Sequence, residues 1–200
     1  MKLLIASHNP GKIKEFEKLL NRFGLEVTSL LEYPSVSDVE ETGEAFEENA
    51  RLKAETIANS LNCLAIADDS GLCVPALNHE PGVYSARYAG PEKDDQKNRQ
   101  KLLERMKELS GDQRAAYFTT CIVVAAPGKD SLVVRGQVDG LITNQEIGEH
   151  GFGYDSLFYY PKDQLTFAQM SPERKNQISH RGQAVEKLKE QLPAWLEEIK

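Results

Sequence analysis

Cysteine is scarce in this chain. Cys63, Cys73 and Cys121 are an odd number at wide spacings with no C-x-x-C pair. That argues against a disulfide framework or a zinc knuckle and predicts a reducing, cytoplasmic setting. Long apolar runs are missing too. Nothing approaches the roughly eighteen residues a membrane helix needs, residues 3–6 are too short for a secretory h-region, and no N-x-Ser/Thr sequon occurs. Positive charge is in deficit: 24 Lys and Arg against 31 Asp and Glu leave a net charge of −7. A globally acidic surface disfavours coating of DNA or RNA, which rests on counterion release at a positive face. It does not exclude one small anionic ligand, because a local pocket can oppose the global sign. Aromatics are few at 8%, but with 40% apolar residues in all the composition is that of an ordered protein.

What is present alternates short apolar runs with amphipathic stretches, the pattern of an α/β fold. Two hundred residues bury a core without staples, and with no repeat or linker composition they read as one α/β domain spanning 1–200. Residues 3–6 read as a buried strand. Asn9-Pro10 then supplies an N-cap and an N1 proline. Ile13, Phe16, Leu19, Leu20 and Phe23 follow at helical spacing, with Gly24 as the stop. A second strand is expected over 25–31, a loop over 32–43 and a helix over 44–61 whose first turns carry Glu44, Glu47 and Glu48, where the helix dipole favours them. Residues 63–67 read as a fully buried strand that ends at Asp68-Asp69-Ser70-Gly71. Residues 75–92 are irregular, 93–109 form a charged helix, 116–126 and 131–142 a hairpin around Pro127-Gly128, 157–160 a strand, and Ala184, Val185, Leu188 and Leu192 mark a last helix.

Five stretches carry residues suited to chemistry. Ser7-His8-Asn9-Pro10-Gly11-Lys12 is a strand-to-helix junction with a lysine in the first turn, a place where anions bind; the P-loop spacing is absent. Glu40-Glu41-Thr42-Gly43 precedes a helix that sets Asn49 and Lys53 on one face, and one or two carboxylates with substrate phosphates suffice for Mg²⁺. Asp68 and Asp69 point to opposite faces if the strand geometry continues through them. Gly151-Phe152-Gly153-Tyr154-Asp155 suits a loop offering an aromatic ring to a base. Lys175, His180 and Arg181 supply donors for phosphate or carbonyl oxygens. Each stretch alone also has a plain structural reading: a capped helix, solvated acids, an Asx turn, a hairpin bend or a structural histidine.

Taken together, and in this order, these motifs with Pro81-Gly82-Val83-Tyr84-Ser85-Ala86-Arg87-Tyr88 resemble the inosine-triphosphate pyrophosphatase family over nearly the whole chain, roughly residues 3–192. The resemblance implies a central mixed twisted sheet flanked by helices, with two lobes and a substrate cleft between them, usually as a homodimer. It implies Mg²⁺-dependent cleavage between the α- and β-phosphates of deaminated purine nucleoside triphosphates (ITP, dITP, XTP), giving the monophosphate and pyrophosphate, with no nucleic-acid or membrane partner. By matching motif, Asp69 would be general base and metal ligand, and Glu40 the other carboxylate at the metal. Ser7, His8, Asn9, Pro10, Gly11 and Lys12 would hold the triphosphate, with Lys53 beside them, and Ser70 would contact substrate. Phe152, Gly153, Tyr154, Asp155, Lys175, His180 and Arg181 would surround base, sugar and phosphates. Two departures stand out: His8 where relatives often have Gly, and Ser156 where Pro is usual. Two other readings stay open, a pyrophosphatase of similar fold preferring pyrimidine or methylated nucleotides and a nucleotide sensor without turnover.

Overall fold

A computed structural model describes residues 2–21 and 26–199. Its strands are β1 (Lys2–Ile5), β2 (Glu26–Ser29), β3 (Leu64–Cys73), β4 (Ala115–Ala125), β5 (Leu132–Ile142), β6 (Phe158–Tyr160) and β7 (Leu165–Thr166). Its helices are α1 (Pro10–Leu20), α2 (Phe46–Leu61), α3 (Asp95–Arg105), α4 (Pro172–Ile178) and α5 (His180–Glu198). The strands make one sheet in the order β2-β1-β3-β4-β5-β6-β7. The sheet is mixed. β1 runs parallel to both β2 and β3, with Leu3 opposite Leu64 and Ile5 opposite Ile66, and the required crossovers are α1 and α2. β5–β6 and β6–β7 are antiparallel. The α/β architecture with a central mixed sheet is therefore as expected.

The chain groups into two compact units woven from separate segments. One comprises residues 1–69, 120–136 and 181–200, the other 70–119 and 137–180. The first has apolar clusters on both faces of its strands. Leu3, Ile5, Ile66, Ile122 and Val124 pack with α1 and α5 through Phe16, Leu20, Val185 and Leu188. On the other face Leu4, Ala65, Ala67 and Val123 pack with Ala50, Ala54 and Ile57 of α2. Alanines dominate α2's buried stripe. The second unit has one core, built on Leu72, Phe118, Val138, Tyr154, Phe158 and Phe167 with Leu102 and Met106 from α3 and the turn after it. Arg114 is buried in that unit, and among the described residues its hydrogen bonds include no carboxylate. It donates instead to the carbonyls of Met106, Leu109, Ile142 and Thr143 at 2.7–3.1 Å, and burial lowers its pKa.

The largest departure from expectation is β3. It does not end at Asp68 but runs through Asp68-Asp69-Ser70-Gly71 to Cys73, with both aspartates buried. Burying two adjacent carboxylates is costly unless each is paired, and both are. Elsewhere α2 starts at Phe46, leaving Glu44 before it, and α5 continues through Pro193 to Glu198. The expected helix residue Phe23, stop Gly24 and strand residue Leu25 lie outside the described residues. The short strand β7 and helix α4 were not anticipated.

Candidate active site

Strand alternation sends the neighbouring aspartates to opposite faces of β3, so each meets a different set of partners. Asp68 faces the side of α1 and α5. Its Oδ1 lies 3.1 Å from Lys12 Nζ, and its Oδ2 accepts from Arg181 Nη2 at 2.9 Å. Arg181 is also paired with Glu15 of α1 and lies over the ring of Phe16 at 5.7 Å. Burial works against the Arg181 charge, yet Asp68 and Glu15 together raise its pKa above the ordinary arginine value. Lys12 goes the other way: burial, helped by Lys53 and Arg181, lowers its pKa despite Asp68.

Asp69 faces α2. Asn49, fully buried, donates Nδ2 to Asp69 Oδ2 at 3.0 Å. The same amide accepts the Gly43 N–H at 2.8 Å and donates to the Gly43 carbonyl at 3.3 Å. A Cβ on Gly43 would come within 2.6 Å of Glu48 Cβ and 2.8 Å of Asn49 Oδ1, so only glycine lets the loop close onto Asn49. Lys53 Nζ sits 2.6 Å from Glu41 Oε1 and 3.9 Å from Asp69 Oδ1. Burial pushes Lys53 down, but Asp69, Glu41 and Asp68 outweigh it and its pKa is raised. Burial likewise raises Asp69, helped by Glu41 and opposed by Lys53, Lys12 and the Asn49 bond, and the net direction is up.

Glu41, not Glu40, is the acid brought to Asp69. Glu40 is exposed, whereas Glu41 is half-buried against Lys53. The register is set at Gly43, whose pair of hydrogen bonds to Asn49 anchors the loop two residues after Glu41. Two hard oxygen donors with mutually repelling charges suit a divalent cation of the Mg²⁺ type, which takes one or two carboxylates and completes its shell with water and phosphate oxygens. Among the described residues no group of three or more His, Cys, Asp or Glu is placed to hold a metal as a dedicated cage. Asp69 and Glu41 could supply only a donor set of the shared kind.

The Ser7–Lys12 junction forms as expected, with a different use of its hydrogen bonds. Asn9 caps α1 by accepting from the Gly11 and Lys12 N–H groups at 2.9 and 3.2 Å, and Ser7 Oγ accepts the Asn9 N–H at 3.1 Å. Two of the amides that an anion would use are thus taken by Asn9, and the Lys12 ammonium is the junction's main positive group. Pro10 is the first helical residue. His8 Nδ1 is 2.5 Å from Asp38 Oδ1. Ser70 is half-buried in β3.

In the second unit, Gly151 and Gly153 flank Phe152 with φ of +80° and +59°, the left-handed region that glycine tolerates. Asp155 Oδ2 accepts from the Phe152 N–H at 3.0 Å and from Lys175 Nζ at 2.7 Å. Lys175 Nζ in turn lies 5.0 Å from the centroid of the Phe152 ring. His180 stacks on Phe118 with centroids 4.9 Å apart and planes 15° from parallel. Tyr154 is a correction: it is buried in the core and donates its hydroxyl to the Ser85 carbonyl at 2.8 Å, so Phe152 is the ring this loop has left to offer. A cavity of about 250 Å³ lies here, lined by Arg99, Glu146, His150, Phe152, Gly153 and Asp155 among others.

Glu15 and Phe118 were not singled out in the sequence, and Asp68 and Asn49 were named there without the partners they have. Asn49 had left a trace, since it stands four residues before Lys53 on one helix face. The pairing of Asp68 with Lys12 and Arg181 joins segments too far apart in sequence to leave any.

The Ham1 family model matches residues 3–191. The chain is 49% identical over 195 residues to a dITP/XTP pyrophosphatase of Bacillus cereus, covering 96% of this chain and 95% of that one. It is 48% identical over 198 residues to a dITP/XTP pyrophosphatase of Listeria monocytogenes, covering 99% and 98%. The solved Ham1 protein of Staphylococcus aureus superposes with a TM-score of 0.84 at 46% identity, over 100% of both chains.

Proposed function

The chain belongs to the Ham1 family, and from that premise we propose that it is a Mg²⁺-dependent pyrophosphatase of deaminated purine nucleoside triphosphates. ITP, dITP and XTP would be cleaved between the α- and β-phosphates to the monophosphate and pyrophosphate. The relatives' activity supports the reading. The observation that carries it is the Asp69 cluster: a buried carboxylate oriented by Asn49, with Glu41 and Lys53 at hand.

The roles follow from the chemistry of each group. Asp69 accepts the proton of a water attacking the α-phosphorus, and a carboxylate held above its ordinary pKa is a stronger base than a free one. Asn49 fixes which Asp69 oxygen is engaged. Lys12 and Lys53 bind and orient the anionic chain and offset charge on the pyrophosphate leaving group. Asp69 and Glu41 would hold Mg²⁺, which when bound neutralises phosphate charge and acidifies water. In the second unit Phe152 offers a ring for the base to stack on. Lys175 can only donate hydrogen bonds, which suits the O6 acceptor of hypoxanthine or xanthine and mismatches the N6 amino group of adenine. The same reading carries a homodimer acting on free nucleotides in the cytoplasm.

The test is a rate comparison on ITP, dITP, XTP, dTTP and UTP with Mg²⁺, identifying the products. Purine monophosphate and pyrophosphate from the first three, with slow turnover of the pyrimidines, is the expected result. Preference for dTTP or UTP would move the enzyme to the pyrimidine reading, and nucleotide binding without product would make it a sensor.

A further inference from the structure

The loop that presents Phe152 has little rigidity of its own. Glycines flank the ring, and glycine has the largest backbone freedom to lose. Something outside must fix the loop. Asp155 and Lys175 hold its ring side, through the Phe152 N–H and across the ring face. The peptide on the far side of Phe152 is held from α3. Gly153 donates its N–H to Asp95 Oδ2 at 2.8 Å and accepts on its carbonyl from Arg99 Nη1 at 2.9 Å. Asp95 and Arg99 are four residues apart and so share one helix face. Arg99 is itself braced, with Nε 2.8 Å from Glu146 Oε2. The same Glu146 oxygen accepts from Ser156 Oγ at 3.1 Å, at the position where this chain departs from the usual proline.

We propose that Asp95 and Arg99 are positioning residues for base recognition, a two-pronged clamp on Gly153 that holds the Phe152 ring ready for the purine. The proposal rests on the reading of Phe152 as the base platform. Neither side chain reaches the reacting phosphates in this account; they act through the loop. Without them the ring would have to be ordered when substrate binds, and that ordering cost appears in apparent affinity. Arg99 is the stronger prong, because its charged group is largely enclosed, whereas Asp95 is exposed.

The test pairs kinetics with a measurement on the substrate-free protein. For Arg99→Met the KM for dITP rises about tenfold and for Asp95→Ala about threefold, as loss of a charged and of an exposed hydrogen bond implies, while kcat changes less than about twofold. Asp95→Asn keeps an oxygen acceptor while losing the charge near the start of α3, and its KM stays near wild type. In the absence of nucleotide, amide hydrogen exchange across residues 151–155 quickens in Arg99→Met and Asp95→Ala. Unchanged exchange, a fall in kcat at constant KM, or Asp95→Asn behaving like Asp95→Ala would each overturn the clamp. A wild type inert toward dITP would instead overturn the substrate reading, and the positioning role with it, whatever exchange reports about the loop.

Discussion

Asp68 and Asp69 are chain neighbours in β3 with separate lives: Asp68 is bound by Lys12 and Arg181 on one face, Asp69 by Asn49 and near Lys53 on the other. Their substitutions are expected to fail in different ways. Asp69→Asn loses turnover by about a thousandfold or more, the scale of a lost general base, with nucleotide binding largely kept. Asp68→Asn leaves two buried cations short of a counter-charge and destabilises the fold by about 3 kcal/mol. Urea unfolding and steady-state rates on the two variants separate them; equal stability loss in both would contradict the division.

Glu40 and Glu41 form a second adjacent pair with unequal parts. Glu41→Gln is expected to weaken Mg²⁺ activation about a hundredfold, in the range seen when groups ordering a metal site are lost, whereas Glu40→Gln changes it little. A Mg²⁺ titration of the rate in each variant is the check. The reverse order would restore Glu40 as the metal ligand.

Gly151 admits no side chain. A Cβ there would come within 2.1 Å of Asp155 Oδ2, the oxygen that holds both Lys175 and the Phe152 N–H. Gly151→Ala is therefore expected to raise the KM for dITP at least about tenfold, by displacing that carboxylate and straining φ. An unchanged KM would show that the Asp155 hub does not organise the loop.

Alkaline stability turns on tyrosines. Burial raises Tyr88 to about 12, helped by its bond to Glu80, and burial raises Tyr117 to about 12, helped by Cys73. A folded pKa above the unfolded value near 10 means the contribution is whole below pH 10 and is lost as pH climbs toward 12. Unfolding followed by circular dichroism should begin in that window together with tyrosinate absorbance. In Tyr88→Phe and Tyr117→Phe the loss across the window is smaller. Tyrosinate forming below pH 10 in the folded protein would contradict the assignment.

The strands and helices of regular period were legible because their apolar spacing is local: α1 with its Asn9 cap, α2, and the neighbours β4 and β5. What failed was local logic applied to a non-local fact. Asp-Asp-Ser-Gly reads as a strand's end, since two carboxylates are expensive to bury. Its continuation depends on Asn49, Lys12 and Arg181, which come from 20 to 113 residues away. The motif residues were identifiable, but the division of labour within them was not: Tyr154 serves the core, Asn9 satisfies its own helix, and Glu41 rather than its neighbour meets Lys53. Helix α4 had a visible start in Ser171-Pro172 but spans only seven residues, too short for periodicity to reveal.

In the proposed reaction water, deprotonated at Asp69, attacks the α-phosphorus. Turnover of dITP in ¹⁸O-labelled water tests it directly. Label is expected in the monophosphate and none in pyrophosphate; label in pyrophosphate, or release of orthophosphate with a diphosphate, would rule out attack at the α-phosphorus.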